Sequence, residues 1–174
     1  MTATAPPLHL SDVNTMDEEA FVAAFGAVYE HSPWVARVAG RERPFADVDA
    51  LRAALEDAMR AAPRERQMAL IRAHPELAGR EADAGDLTDE SASEQASAGL
   101  DRLTAGEYAE LQLLNRSYGE RFGFPFVVCV RHLTKDEILA RGRERLQRSR
   151  EQEVETALGE IAKIAKARLR DLVA

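Results

Sequence analysis

Cysteine is almost missing from this sequence: Cys129 is the one thiol in 174 residues. That rules out an internal disulfide and suits a reducing compartment. The chain has 4 histidines, His9, His31, His74 and His132. None is arranged as HExxH and Cys129 has no CxxC partner, so no bound metal is expected. Glycine-rich phosphate loops and a GxSxG nucleophile elbow are equally missing. Aromatic residues make up only 6%, so a core must rest mainly on aliphatic side chains. No apolar run approaches the ~20 residues needed to span a bilayer, and no membrane association is expected. Acidic residues outnumber basic ones, 30 Asp and Glu against 23 Lys and Arg, giving a formal net charge of −7. That balance disfavours nucleic acid, whose phosphates reward clustered cations. It leaves room for a small anion, because one arginine can reverse the field inside a pocket. The opening "MTATAPPLHL" lacks the charged and apolar regions of a secretory signal. The closing "RDLVA" is not of the Ser-Lys-Leu peroxisomal type. A cytoplasmic location is therefore the expectation.

What is present points to helices. Apolar residues reach 45%, much of it alanine, and alanine with Leu, Glu and Arg has high helix propensity. Residues 1–14 read as a flexible N-terminal arm and 15–174 as one helical domain. Thr15 stands three residues before Glu18, a capping-box arrangement. Behind it Phe21, Val22, Phe25, Val28 and Tyr29 recur at helical spacing as far as "HSPW", where Pro33 can break or kink the helix. A second helix is read over 47–61, with Leu51, Leu55 and Met59 in one stripe, and a third from Pro63 to Ala73. Residues 74–90 read as an exposed loop, followed by a helix over 89–102. Thr104 with Glu107 and Thr134 with Glu137 repeat the Thr-x-x-Glu cap and launch helices over 104–121 and 135–149. A last helix covers 151–172. The segment "FGFPFVVCV" is β-prone but has no convincing partner strand. The fold class expected is all-α: a single-domain multi-helix bundle with one extended or coiled apolar segment near 122–130.

Three places could carry chemistry. Pro75 disfavours helical geometry at His74, so this histidine projects from a junction, either to exchange a proton or simply exposed at a turn. At 100° per residue, Ser91, Glu94, Gln95 and Ala98 share a stripe, opposite Leu100 and Leu103. That stripe is either a wet helix face or a dense set of polar groups at one site. Arg168 falls within the apolar stripe of Val154, Leu158, Ile161, Ala165 and Leu172. A guanidinium aimed at a core needs an anionic ligand or an internal glutamate, unless it snorkels at the helix end. Cys129 could act as a nucleophile near His132, but its apolar neighbours favour an inert thiol.

"HPELAG", "SASEQASAGL", "LNRSYGERFGFPFVVCVR" and "EIAKIAKARL" occur in the order and at the spacing seen in the OHCU decarboxylases. The chain resembles that family over nearly its whole length, from "FGAVYEHSPWVA" to the last helix. OHCU is 2-oxo-4-hydroxy-4-carboxy-5-ureidoimidazoline, an unstable intermediate of urate breakdown. The resemblance implies an all-helical, cofactor-independent, commonly dimeric carboxy-lyase that converts this small anionic substrate to (S)-allantoin. Carried over by residue, it makes His74 the catalytic histidine, Glu94 the essential glutamate and Arg168 the substrate-binding arginine. It also places substrate contacts at Pro75, Ser91 and Gln95 and along Phe126, Val127, Val128, Cys129 and Val130. Two rival readings remain at this point. One is a non-catalytic helical interaction module whose Arg168 pairs with an internal carboxylate. The other is a metal-dependent amidohydrolase acting on ureides.

Overall fold

Short polar residues start the helices. Asp47 accepts a hydrogen bond from the Ala50 N–H at 2.7 Å and so begins α4, Val48–Ala61. Such a cap is worth about 1 kcal/mol. Thr104 and Thr134 each form a complete capping box with Glu107 and Glu137. They launch α8 (Ala105–Phe122) and α9 (Lys135–Arg145) as the sequence predicts. Between these and around them lie α1 (Leu10–Thr15), α2 (Glu18–Phe25), α3 (Trp34–Ala39), α5 (Arg64–Ala73), α6 (Arg80–Ala84), α7 (Asp89–Ser97) and α10 (Arg150–Leu172). The computed structural model describes residues 6–174, and among these no β-strand occurs beyond a single pairing of Leu8 with Val173. The all-α expectation holds.

Two readings near the N-terminus are corrected. Thr15 ends α1 instead of capping α2, its hydroxyl donating to the Asp12 carbonyl at 2.9 Å. Asp17 takes the cap and accepts from the Ala20 N–H at 2.8 Å. A carboxylate is as good a cap as a hydroxyl and also suits the positive end of the helix dipole. The stretch read as a flexible arm is anchored over much of its length; its first five residues lie outside those described. Val13 is fully buried. Asn14 bonds the Phe45 backbone in both directions, at 2.9 and 2.8 Å. The Leu8 N–H donates to the Leu172 carbonyl at 2.8 Å.

The chain divides into two compact units, one from the N-terminal side up to Leu70 with Ala162–Ala174, the other Ile71–Ile161. In the first, Phe21 and Phe25 of α2, Val35 of α3, and Leu51, Leu55 and Met59 of α4 are buried, those of α2 and α4 at spacings of four. A side chain at Gly40 would press on the Phe21 ring at 2.9 Å, so glycine permits this close approach. α2 stops at Phe25, earlier than the apolar spacing predicts, and Pro33 heads α3. In the second unit, Leu111, Leu114, Tyr118, Phe122, Ile138 and Leu158 are buried. Any Cβ at Gly142 would collide with Leu114, so glycine lets α9 lie close against α8.

Candidate active site

His74 sits at the end of α5. Its own N–H still reaches the Ile71 carbonyl at 3.3 Å, and the helix stops there because Pro75 restricts the residue before it. His74 is only 7% exposed, which removes the reading of a histidine at an open turn. The stretch read as an exposed loop over 74–90 divides: Leu77, Ala78 and Gly79 are buried, while residues 80–90 are mostly exposed as expected, with α6 among them. Buried irregular backbone must find partners, and here side-chain amides supply them. Gln95 of α7 accepts from the Ala78 N–H at 2.8 Å and donates to the Glu76 carbonyl at 3.5 Å. Gln112 and Asn115 of α8 donate to the Ala78 and Leu77 carbonyls at 2.6 and 2.9 Å. Ala78 has φ of +45°, a left-handed conformation that costs an L-residue roughly 1–2 kcal/mol. Beside it, a Cβ at Gly79 would lie 2.6 Å from that of Glu76.

The polar stripe of α7 is not a wet face. Ser91 and Gln95 are 4% and 6% exposed, and Glu94 and Ala98 are half-buried. α7 also ends at Ser97, short of the sequence reading. Gly99 turns left-handed at φ +75°, and the Leu100 N–H folds back to the Gln95 carbonyl at 3.0 Å, a Schellman-like stop.

The third group of candidates, Phe126–Val130, is non-helical, as the sequence suggests. Phe126, Val127, Val128 and Val130 are buried and Cys129 is half-buried. Charged side chains hold this segment. The Cys129 N–H donates to Glu160 of α10 at 2.8 Å. Arg145 of α9 donates to the Val127 carbonyl at 2.7 Å and to Glu153 at 2.8 Å. Its guanidinium lies 4.8 Å from the centre of the Phe126 ring. The Tyr118 hydroxyl donates to the same Glu153 oxygen. Burial, with the Glu153 carboxylate beside it, raises the Tyr118 pKa far above its ordinary value, so the phenol keeps its proton and remains a donor. His132 is exposed with φ of +67°, the geometry of a turn residue.

Arg168 belongs to the other unit. It is 6% exposed and donates to Glu30 at 2.8 Å and to the Ala27 carbonyl at 3.3 Å. The internal-glutamate reading is therefore realised. Sequence reasoning did not single out Glu30, although a carboxylate directly after the apolar Val28 and Tyr29 mirrors the misplaced arginine. Nor did it find Gln112, Asn115, Arg145, Glu153 or Glu160. The only signal for these was their position on the inward stripes of α8, α9 and α10.

Within the second unit, a cavity of about 570 Å³ is lined by Ala78, Ala82, Leu87, Gln95, Leu100 and Tyr108, with Asp83 and Asp101 among its polar groups. It shares Ala78 and Gln95 with the His74 loop, while neither His74 nor Glu94 lines it. Among the described residues no group of three His, Cys, Asp or Glu side chains is placed to hold a metal ion.

The sequence matches the family described as OHCU decarboxylase over residues 14–170. It is 48% identical to a 2-oxo-4-hydroxy-4-carboxy-5-ureidoimidazoline decarboxylase of Haloferax volcanii, covering 93% of this chain and 94% of that one. A decarboxylase of the same name from Amia calva is 43% identical, with 95% of each chain covered. Among solved structures, an (S)-allantoin synthase superposes with a TM-score of 0.78 at 26% identity, over 95% of this chain and 54% of that one. The matched span takes in the His74 loop, the buried face of α7, the 126–130 segment and Arg168, and the chain belongs to the OHCU decarboxylase family.

Proposed function

We propose that this protein catalyses the decarboxylation of OHCU to (S)-allantoin in urate degradation, without a metal or organic cofactor and with a proton delivered to one face of the product. The observation that carries this reading is the close match to named OHCU decarboxylases along almost the entire chain. The burial of His74, Ser91 and Gln95 at positions where sequence alone leaves solvent exposure open supports it.

The substrate carries a carboxylate and a hydroxyl on one ring carbon, next to an imine carbon. When carbon dioxide leaves, its bonding pair forms a double bond to that neighbouring carbon and the imine nitrogen takes up a proton. Tautomerisation then turns the hydroxyl into the ring carbonyl, and a proton is added at the adjacent carbon. The imine is thus the electron sink, so no external one is needed. His74 is the group assigned to hold and deliver the proton that sets configuration, imidazole being the side chain that most often serves as a general acid or base. Glu94, half-buried on α7, orients the substrate hydroxyl or ureido N–H groups. Arg168, oriented by its bond to Glu30, is assigned to bind an oxygen-rich edge of the substrate as well, a charged hydrogen bond worth on the order of 1.5–3 kcal/mol. The backbone of Phe126–Val130, with Pro75 and Ser91, completes the binding surface. Gln95, whose amide is engaged by the His74 loop, lies in the same shell. The same reading includes a homodimer in the cytoplasm that binds neither nucleic acid nor membrane.

Freshly generated OHCU supplied to the purified protein tests the reading, with allantoin chirality followed by circular dichroism. (S)-Allantoin should form far faster than in buffer, and equally fast after treatment with a chelator. Product appearing at the buffer rate would instead favour a non-catalytic helical module, and loss of activity on chelation an amidohydrolase.

A further inference from the structure

We propose that Gln112 and Asn115 of α8 are positioning residues for His74, acting with Gln95 as a clamp of three side-chain amides on the peptide groups of residues 76–78. The role of His74 rests on the decarboxylase reading above; the clamp itself rests on geometry. The N-terminal side of the histidine is tied by its N–H to Ile71. Pro75 comes next, with a fixed φ and no N–H to donate. The remaining freedom of the imidazole's backbone therefore lies in residues 76–78, and all three of these peptide groups are held. Gln95 takes the Glu76 carbonyl and the Ala78 N–H, Asn115 the Leu77 carbonyl, and Gln112 the Ala78 carbonyl. Left-handed Ala78 is the residue that would relax first if these bonds were lost.

The choice of amides has a chemical reason. Lysine or arginine donors could bind the same carbonyls, but a cation so close to an imidazole would disfavour its protonated form. A carboxylate would have the opposite effect and could donate nothing. Neutral amides fix the loop without placing a charge on it. Gln112 and Asn115 are three residues apart on α8, so both reach the loop from one helix face. Asn115 is 2% exposed, and its Oδ1 has no hydrogen-bond partner among the described residues. Its single bond, to Leu77, is the interaction that accounts for an amide in this buried place.

Gln112 is half-buried, so Gln112→Met, which keeps length and removes the donor, should leave the protein folded. Asn115→Leu keeps the size of the side chain, adds no charge and removes the donor to the Leu77 carbonyl. Two readouts apply to both full-length variants: steady-state kinetics with OHCU, and the titration of the His74 imidazole by NMR. We expect kcat to fall by about tenfold with KM within about threefold of wild type, as for a misplaced proton donor. The His74 resonances and titration midpoint should move with it. His74 resonances that superimpose on those of the wild type in both variants would overturn the clamp, whatever the rates. Failure of the wild type itself to act on OHCU would overturn the functional reading, and the NMR comparison would then judge the clamp alone.

Discussion

Two non-helical segments of the same unit are secured by opposite chemistry. The His74 loop is held by neutral amides from α7 and α8. The 126–130 segment is held by ions, with Arg145 on its Val127 carbonyl, Glu160 on its Cys129 N–H, and Glu153 and Tyr118 behind the arginine. A neutral bond contributes about 0.5–1.5 kcal/mol net and a charged one about 1.5–3, so the second arrangement is individually stronger. It is also the more exposed to loss of one partner, because a buried charge left alone is costly. The segment that carries His74, the proposed proton donor, is thus fastened by bonds that add no charge to it. The segment assigned to shape the binding surface has no such constraint.

The largest effect should come at the first segment and appear in rate alone. His74→Asn keeps the size of the side chain and removes the exchangeable imidazole proton. We expect kcat on OHCU to fall by about 10²–10⁴-fold with the far-ultraviolet dichroism unchanged. Retention of full activity would remove His74 from the chemistry and with it the functional contrast between the segments.

At the second segment the large effect should be on stability. Arg145→Met leaves the fully buried Glu153 with no guanidinium nearer than that of Arg148, at 3.8 Å, and should destabilise the protein by about 3–5 kcal/mol. Urea denaturation measures this. Adding Glu153→Leu should recover much of the loss, since replacing a whole buried pair by apolar groups is often close to neutral. If the single and double variants unfold at the same urea concentration, the ionic anchor is not what distinguishes this segment. On the amide side, Gln95→Leu leaves the Ala78 N–H without its acceptor, a smaller loss of about 1–3 kcal/mol. The same denaturation series should rank it below Arg145→Met.

The contrast explains what could be read in advance. Local signals were sufficient for α4, α5, α8 and α10 and for both threonine capping boxes, because each depends on residues within one turn. They misplaced the cap of α2, where Thr15 and Asp17 compete at nearly the same spot and only the fold decides. They also took Ser91 and Gln95 for either a wet face or a site, since the groups that bury Gln95 lie 17 and 19 residues away in sequence. Arg168 was conspicuous as a charge within an apolar stripe, but its partner Glu30 is 138 residues distant. Gln112 and Asn115 gave no local signal beyond their place on the inward stripe of α8. Polar residues on an inward face become legible only when the irregular backbone they serve is in place.

The smallest effect concerns how the two supporting helices begin. α8 brings two of the clamp amides and α9 brings Arg145, and the same Thr-x-x-Glu cap starts both. Glu107 is held below the ordinary glutamate value of 4.5, first by the bond from Lys135 and then by the Thr104 N–H. Glu137 is held below it by the Thr134 N–H and hydroxyl. A carboxyl whose folded pKa is depressed contributes stability above its unfolded pKa, and that contribution is lost as pH falls through the folded value. Acidification through 4.5 and below should therefore fray the first turns of both helices, seen as faster amide exchange at Thr104 and Thr134. Glu107→Gln should abolish the response at Thr104 and leave that at Thr134 intact. An undiminished acid response at Thr104 in this variant would mean that the carboxylate does not fasten α8. The two segments would then differ in their anchors alone and not share the way their supporting helices are set.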